Sequence, residues 1–250
     1  MIKNYKLKLF LLGISTFLSA HSDCIHYDLR ENERSINDIL ELYRGLKIDA
    51  HGVYQISLNA FNKMPQTAAC VKDLKEKYKL EVALETGTWL GNTTKFLSCI
   101  FEEVDSIEID KNYYNLSTQN LRLFKNARVH FGNSATALLP LLNSKMLGKR
   151  LFCYLDAHWY SDWPLLDEIR QISQTHRDNC VLMIDDIKVP GRPDIQFDSY
   201  SQNGIKLECS LEYVKKELDE LFTEYEIFYI GDKYSLGGHK LVVIPKSFKN

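Results

Sequence analysis

The sequence has no excess of charge of one sign, because 31 lysine and arginine residues face 33 aspartate and glutamate residues. The net charge of −2 gives no basic surface, so a nucleic-acid partner is not indicated. Internal repeats and low-complexity tracts are also lacking, which excludes solenoids and fibrous arrays. What remains is a composition typical of a folded protein, 45% hydrophobic and 26% charged, and 250 residues are enough for one α/β domain.

Cysteine is present, but its spacing does not indicate a zinc site. None of the six cysteines stands in a C-x-x-C pair or in a Cys/His arrangement typical of zinc. Cys153 and Cys180 lie in apolar runs, where a thiol behaves as a small buried hydrophobe. The cysteines therefore leave the compartment of the protein open.

The first twenty residues resemble a targeting segment. Three lysines at positions 3, 6 and 8 precede an apolar run that ends in the small residues Ser19 and Ala20. This pattern is typical of a signal peptide or membrane anchor, although the run is shorter than the roughly 20 residues of a typical spanning helix. We expect export or membrane association through residues 1–20, and a cytoplasmic protein if they are only an extension.

Residues 21–64 are expected to form a helical or lid segment, and residues 65–250 the main domain. From residue 65 onward, helical patterns alternate with short, continuously apolar runs, which is typical of parallel strands buried on both faces. We predict an α/β fold, a doubly wound Rossmann-like, mostly parallel seven-stranded sheet with an antiparallel C-terminal hairpin at its edge. The predicted strands are 82–85, 104–109, 127–131, 151–155, 180–184, 226–230 and 241–244.

The first strand of this alternation ends in a glycine-containing turn. Ligands of open α/β sheets bind at the carboxyl ends of the strands, and glycine lets a ligand approach the backbone. The spacing from Gly87 to Gly91 is not the G-x-G-x-x-G of nicotinamide-binding loops. Glu85 before the glycines suits a positively charged amino group and indicates an amino-acid-bearing nucleotide. The other candidate cofactor residues of this turn are Thr86, Thr88, Asn92 and Thr93.

Polar side chains also follow the next strands. Glu108 is placed to accept hydrogen bonds from ribose hydroxyls, with Asp110 as the second choice and helix capping as its alternative. Acidic residues are rarely set against buried apolar runs without a ligand or partner, so their recurrence on one edge indicates a binding site. The third, fourth and fifth strands deliver Asn133 and Ser134, expected to read an adenine edge, then Asp156, and then Asp185 and Asp186.

This series resembles the cofactor-binding series of class I S-adenosylmethionine-dependent methyltransferases over about residues 65–245. It is similar in particular to metal-dependent small-molecule O-methyltransferases of the catechol and macrolide-sugar types. The resemblance implies S-adenosyl-L-methionine as cofactor and methyl transfer to an oxygen of a small-molecule or sugar acceptor. It also implies a divalent metal, and oxygen ligands suit Mg²⁺. The metal ligands implied are Asp156, Asp185 and Asp186, and Asp156 also belongs to the cofactor set.

One position departs from the catechol-type pattern. Those enzymes carry a lysine as general base just beyond the fourth-strand acid, where this sequence has Ala157-His158-Trp159. We expect His158 to take that role beside Asp156, because the pKa of histidine lies near working pH. Trp159 and Trp163 are candidate walls of an acceptor pocket, or core residues. The polar loop from Lys188 to Gly204 is expected to contact the acceptor through Arg192 and Tyr200.

Two other functions remain open on the sequence alone. One is a Rossmann-fold nucleotide-dependent enzyme of another class, against which the missing G-x-G-x-x-G counts. The other is an exported, non-catalytic binding protein that retains the fold, for which the signal-like N-terminus is the best support. The sequence does not indicate an oligomeric state.

Overall fold

The computed structural model describes residues 25–26, 55–158, 163–202, 204–231 and 239–249. The signal or anchor predicted for residues 1–20, most of the 21–64 segment, and Trp159 lie outside these ranges and stay predictions. Within them, no helix has the length and apolarity needed to span a lipid bilayer.

The described chain is built on a mixed sheet with spatial order β1-β9-β10-β6-β5-β2-β3-β4. Strands β2 to β6 pair in parallel. The strand order reverses between β2 and β5, which is the switch point where such sheets bind ligands. The strands are β1 Ile25–His26, β2 Val82–Thr86, β3 Glu103–Glu108, β4 Ala127–Phe131, β5 Leu151–Leu155, β6 Cys180–Ile184, β9 Tyr225–Ile230 and β10 Lys240–Pro245.

The C-terminal hairpin is confirmed, but its last strand is internal to the sheet. β10 pairs antiparallel with both β6 and β9, while the two-residue β1, which the sequence did not indicate, pairs with the outer side of β9. Every residue of β10 is buried, whereas half of β9 is only partly buried. The apolar residues of β10 therefore lie between two long strands, whereas the outer side of β9 is covered only by the two residues of β1.

Helices cover both faces of the sheet, so the doubly wound architecture is confirmed. α1 Pro65–Tyr78 and α2 Asn92–Ile100 pack on one face, in a core that contains Phe96, Phe152 and Val242. The remaining helices are α3 Lys111–Asn120, α4 Ser134–Ser144, α5 Leu165–His176, α6 Leu211–Leu221 and the 3-10 helix Lys246–Lys249. Of these, α4, α5 and α6 pack on the other face, in a core with Leu84 and Leu182.

The prediction of a polar loop from Lys188 to Gly204 is partly wrong, because this segment ends in a strand of a second, two-stranded sheet. β7 Ser199–Gln202 pairs antiparallel with β8 Ile205–Glu208. The dipeptide Asn203-Gly204 stands between them in the sequence and is a strong hairpin signal. The sequence did not indicate these strands, because β8 is exposed or half-buried and shows no continuous apolar run.

Candidate functional site

The turn between β2 and α2 lies directly against the end of β5. Gly87 has φ +81°, and a Cβ built on it would lie 2.5 Å from the Asp156 carbonyl oxygen. The Asp156 N–H in turn donates to the Thr86 carbonyl oxygen at 3.2 Å. Only glycine fits this approach without displacing the backbone, so the turn and the Asp156 backbone form one compact unit.

The N-terminus of α2 opens toward the same edge. Its cap is Gly91 at φ +77°, and no side chain of the described residues accepts a hydrogen bond from its first turn. The first N–H groups of a helix lack partners within the helix and attract anionic groups. Of the predicted residues here, Asn92 is half-buried, while the Thr93 hydroxyl accepts from the Phe61 N–H at 2.9 Å.

Glu85 lies below the rim of the sheet and is 1% exposed. Its carboxylate accepts hydrogen bonds from the Thr94 hydroxyl and, at 2.7 Å, from the Ser106 hydroxyl. Thr88 joins the cluster through a 2.6 Å contact between its hydroxyl and that of Ser106. Burial raises the pKa of Glu85 to about 8, and the two hydroxyls only partly offset this.

Glu108 ends β3 beside this turn. One carboxylate oxygen accepts from the Trp89 N–H at 2.8 Å and the other from the Asp110 N–H at 2.8 Å. The carboxylate thereby fixes the turn at Trp89, a non-glycine residue with φ +47°. Asp110, the second choice for ribose binding, caps α3 by accepting from the Asn112 and Tyr113 N–H groups, so the helix-capping alternative describes it.

Asn133 and Ser134 begin α4 at the same edge. The Asn133 side chain accepts from the Ala135 N–H at 2.8 Å and caps the helix. The Ser134 hydroxyl and the Glu168 carboxyl group are buried in the same corner. Burial raises the pKa of Glu168 to about 7, although hydrogen bonds with the Ser134 and Thr86 side chains lower it. The corner therefore places buried polar groups beside the strand ends.

The sheet register brings a lysine to the acidic edge. Leu241 on β10 pairs with Ile184 on β6 in an antiparallel register, so Lys240 faces Asp185. Their side chains are 0% and 1% exposed, and the Lys240 Nζ lies 2.6 Å from the Asp185 Oδ1. Burying either charge without the other would cost several kcal/mol or more, so the two residues depend on each other.

Two further groups hold the second oxygen of Asp185. The buried Tyr154 hydroxyl donates to it, and the Asn62 amide donates to it at 3.3 Å. The Tyr154 hydroxyl also lies 3.1 Å from the Asp156 Oδ2, and burial raises the pKa of Tyr154. A hydrogen-bonded chain therefore runs from Lys240 through Asp185 and Tyr154 to Asp156.

His158 lies among the remaining acids of the edge. Its Nδ1 is 2.5 Å from the Asp198 Oδ2, and its Nε2 is 3.2 Å from Asp156 and 3.7 Å from Asp186. Burial by itself lowers the pKa of His158. The Asp156 and Asp198 carboxylates outweigh this effect and raise the pKa to about 12. Both ring nitrogens of His158 thus contact carboxylates, and its role as a general base stays a prediction.

The raised pKa values of the neighbouring acids follow from the same crowding. Burial and the negative charge of Asp185 raise the pKa of Asp156 to about 7. The same two causes, with Asp198 added, raise the pKa of Asp186 to about 6. Asp186 also has φ +48°, a strained conformation of the kind that concentrates at functional sites.

The implied magnesium site does not fit these contacts. Both oxygens of Asp185 are engaged by protein donors. A different group, Asp156, His158 and Asp186, brings one ligand atom each within 4.8 Å of one another, but its histidine is bound on both nitrogens. A hard ion such as Mg²⁺ also prefers oxygen ligands over imidazole. The magnesium prediction is therefore not supported.

An aromatic wall borders a small cleft beside the acids. The ring centroid of Trp163 lies 5.0 Å from that of Tyr200 and 4.8 Å from that of Tyr213, onto which it stacks. Trp163, Asp156, His158 and Glu168 line the cleft, whose volume is about 230 Å³ including its open mouth. Trp163 and Tyr200, both proposed acceptor contacts, thus lie together, whereas Arg192 forms an ion pair with Asp194.

Three charged residues of this site were not singled out from the sequence: Lys240, Asp198 and Glu168. A signal existed for Glu168, because it shares the apolar helix face of Leu165, Ile169 and Ile172, where an acid is unusual. The lysine at the start of an otherwise apolar strand is a weaker signal of the same kind. Asp198 carries none, since it lies 40 positions from His158 in a polar stretch.

Comparisons with known proteins concern the fold. No protein-family model matches the chain, and no curated protein sequence matches it significantly. Solved structures do match. An O-methyltransferase from Bacillus cereus in complex with S-adenosylhomocysteine is 13% identical with a TM-score of 0.56, over 87% of this chain and 95% of that one.

A second match is the O-methyltransferase TomG from Streptomyces achromogenes, involved in tomaymycin synthesis and solved with S-adenosylmethionine. It is 14% identical with a TM-score of 0.55, over 84% of this chain and 96% of that one. DesVI from Streptomyces venezuelae is 10% identical with a TM-score of 0.50, over 80% and 99%. The resemblance drawn from the strand ends is thus confirmed at the level of structure: this chain has the fold of the class I S-adenosylmethionine-dependent methyltransferases.

Proposed function

We propose that this protein is an S-adenosylmethionine-dependent methyltransferase that methylates an oxygen of a small-molecule or sugar acceptor. The observation that carries the proposal is the convergence of four strand ends on one edge. Glu85 pairs in register with Ser106 and Tyr154, and the β2–α2 turn touches the Asp156 backbone. Two structural neighbours are described as O-methyltransferases with this cofactor or its product bound, which supports the same reading.

The residues at the edge suit the three parts of the cofactor. The open N-terminus of α2, capped by Gly91, suits the carboxylate of the methionine part. Glu108, a carboxylate beside the turn, suits ribose hydroxyls, which donate hydrogen bonds. The Ser134 hydroxyl and the neighbouring Asn133 suit the polar edge of adenine. Thr86, Gly87, Thr88, Asn92 and Thr93 complete the walls of the turn.

The chemistry then depends on position. When bound, S-adenosylmethionine supplies a methyl group attached to a positively charged sulfur. A nucleophilic oxygen can displace the sulfur and take the methyl group. The protein holds the acceptor hydroxyl next to Asp156, whose carboxylate takes the proton as the oxygen reacts. His158, fixed by Asp198, keeps Asp156 oriented, and alignment of the two reactants accounts for most of the rate. Trp163 and Tyr200 form an apolar wall for the acceptor.

Calorimetric titration with S-adenosylhomocysteine tests the cofactor site. We expect one site per chain, with binding weakened at least about tenfold by Glu108→Gln, since a neutral amide accepts more weakly from two hydroxyls. Glu102→Gln is the matched control, because Glu102 is exposed and directly precedes the start of β3, at the opposite end from Glu108. Its binding should equal that of the wild type.

Absence of binding by the folded wild-type protein would contradict the proposal. Equal binding by the Glu108→Gln and Glu102→Gln variants would instead show that the cofactor lies elsewhere. The acceptor class is tested by transfer of a labelled methyl group to panels of phenolic and sugar hydroxyl compounds. Asp156→Asn should abolish transfer, because it removes the proton acceptor and keeps the shape.

A further inference from the structure

Lys240 is the most deeply buried charged group among the described residues of the site. It is 0% exposed, and all the other residues of its strand are apolar. Its Nζ lies 2.6 Å from the Asp185 Oδ1 and 3.4 Å from the Met64 sulfur. Lysine is almost never fully buried unless it is paired, so the pairing with Asp185 is the reason this side chain is tolerated here.

Side-chain nitrogens already lie against the acids of this edge. Asp156, Asp186 and Asp198 each lie within 3.7 Å of a ring nitrogen of His158. Asp185 lies against the Lys240 ammonium. A divalent ion on Asp185 would therefore have to displace or repel that ammonium.

We propose that Lys240 is the cation of this site and that methyl transfer here needs no metal. Lys240 holds Asp185 at the position where the metal-dependent enzymes that this sequence resembles hold a divalent metal. Lys240 is a positioning residue: it fixes Asp185, which binds the Tyr154 hydroxyl, which in turn contacts Asp156. This inference rests on the proposed methyltransferase function for its catalytic part, while its cation-binding part stands on the geometry alone.

The charge argument also predicts what removal of Lys240 does. Lys240→Met keeps a long apolar stem but leaves the Asp185 carboxylate uncompensated beside Asp156 and Asp186. Like charges held together attract a divalent cation strongly at low effective dielectric constant. The variant should therefore gain a metal site that the wild-type chain lacks, which a merely structural role of Lys240 would not produce.

The experiment uses the full-length protein after treatment with a chelator and titration with Mn²⁺, followed by electron paramagnetic resonance of the free ion. We expect no stoichiometric binding by the wild type and at least about tenfold tighter Mn²⁺ binding by Lys240→Met. Lys215→Met is the control, because Lys215 is an exposed lysine paired with Asp219 on α6; it should behave as the wild type. Methyl transfer by the wild type should be unchanged by chelator or by added Mg²⁺.

One Mn²⁺ per wild-type chain, or loss of transfer with chelator and recovery with Mg²⁺, would overturn the proposal and favour the group Asp156, His158 and Asp186. If Lys240→Met does not fold, the double variant Lys240→Met/Asp185→Asn removes both charges and should bind no Mn²⁺; binding by it counts against the proposal. S-adenosylhomocysteine binding is measured in parallel, so failure of the proposed function is seen separately from failure of the cation assignment.

Discussion

Glu85 is a carboxylic acid placed where water hardly reaches it. Its pKa of about 8 against an ordinary 4.5 means that the folded state binds a proton more tightly than the unfolded state. Between these values the folded chain carries more protons, so the free energy of unfolding falls as pH rises. At about 1.4 kcal/mol per pKa unit, the loss amounts to a few kcal/mol.

Glu85→Gln should remove this pH dependence. The amide oxygen still accepts from Thr94 and Ser106, but it cannot ionise. We expect the variant to gain stability over the wild type as pH rises from about 5 to 9, measured by urea unfolding at several pH values. Glu76→Gln, on the exposed side of α1, should show the wild-type pH profile. Parallel profiles for Glu85→Gln and the wild type would contradict the assignment.

Gly87 is a residue whose missing side chain matters for two separate reasons. Its φ of +81° disfavours any L-residue, and an added Cβ would meet the Asp156 carbonyl oxygen. Gly87→Ala should therefore destabilise the fold by about 2–4 kcal/mol, the sum of a backbone term and an overpacking term. Thermal and urea unfolding measure this loss.

A matched glycine separates the two terms. Gly191 has φ +73° but nothing within 4 Å of an added Cβ, so Gly191→Ala carries only the backbone term of about 1–2 kcal/mol. It should leave S-adenosylhomocysteine binding intact, whereas Gly87→Ala should weaken it. Equal destabilisation by both substitutions would show that the turn yields to the methyl group.

At the scale of elements, the segment before α1 is strained where it touches the site. Phe61, Asn62 and Lys63 all have positive φ, a conformation that costs a non-glycine residue roughly 1–2 kcal/mol. The turn persists because Phe61 packs its ring against Tyr154 and Asn62 reaches Asp185. These contacts agree with a lid role for the end of the 21–64 segment, which stays a prediction.

Lys63 offers a test of that strain, because it is exposed and its φ is +67°. Lys63→Gly should be more stable than Lys63→Ala by about 1 kcal/mol, since both remove the side chain and only glycine relieves the backbone. Equilibrium unfolding of the two variants gives the difference directly. A more stable alanine variant would mean that this turn is not left-handed in solution.

Elements were predictable from the sequence where burial and period agreed. The strands 127–131, 151–155 and 180–184 were placed correctly. The last two are short apolar runs bounded by turn residues, whereas 127–131 alternates apolar residues with Arg128 and His130. The β7–β8 hairpin was missed because exposed strands carry little hydrophobic signal.

At the scale of the whole molecule, the buried pair of Asp185, just after β6, and Lys240 on β10 links the last strand to the acidic edge. Removing one partner of a buried ion pair typically costs 3–5 kcal/mol, because it leaves an uncompensated charge. Lys240→Met should therefore lower the free energy of unfolding by that amount, while Lys240→Met/Asp185→Asn should recover most of it. Urea unfolding of Lys240→Met, Asp185→Asn and the double variant gives the coupling energy between the two residues.

Surface pairs set the scale for that comparison. Lys215→Met breaks an exposed pair on α6 and should cost less than about 1 kcal/mol. A Lys240→Met variant as stable as Lys215→Met would show that Asp185 finds another partner or takes up a proton. In that case the two strands would not depend on the pair for their association.

The sequence by itself determined the alternation of strands and helices, the glycine turn and the acids at the strand ends, because these follow from local pattern and from the geometry of parallel sheets. Only the tertiary structure decided how those acids are partnered. Lys240 meets Asp185 because β10 inserts beside β6 in one register, and His158 meets Asp198 across 40 residues. Such charge pairs depend on which distant segments become neighbours, and no local period encodes that choice.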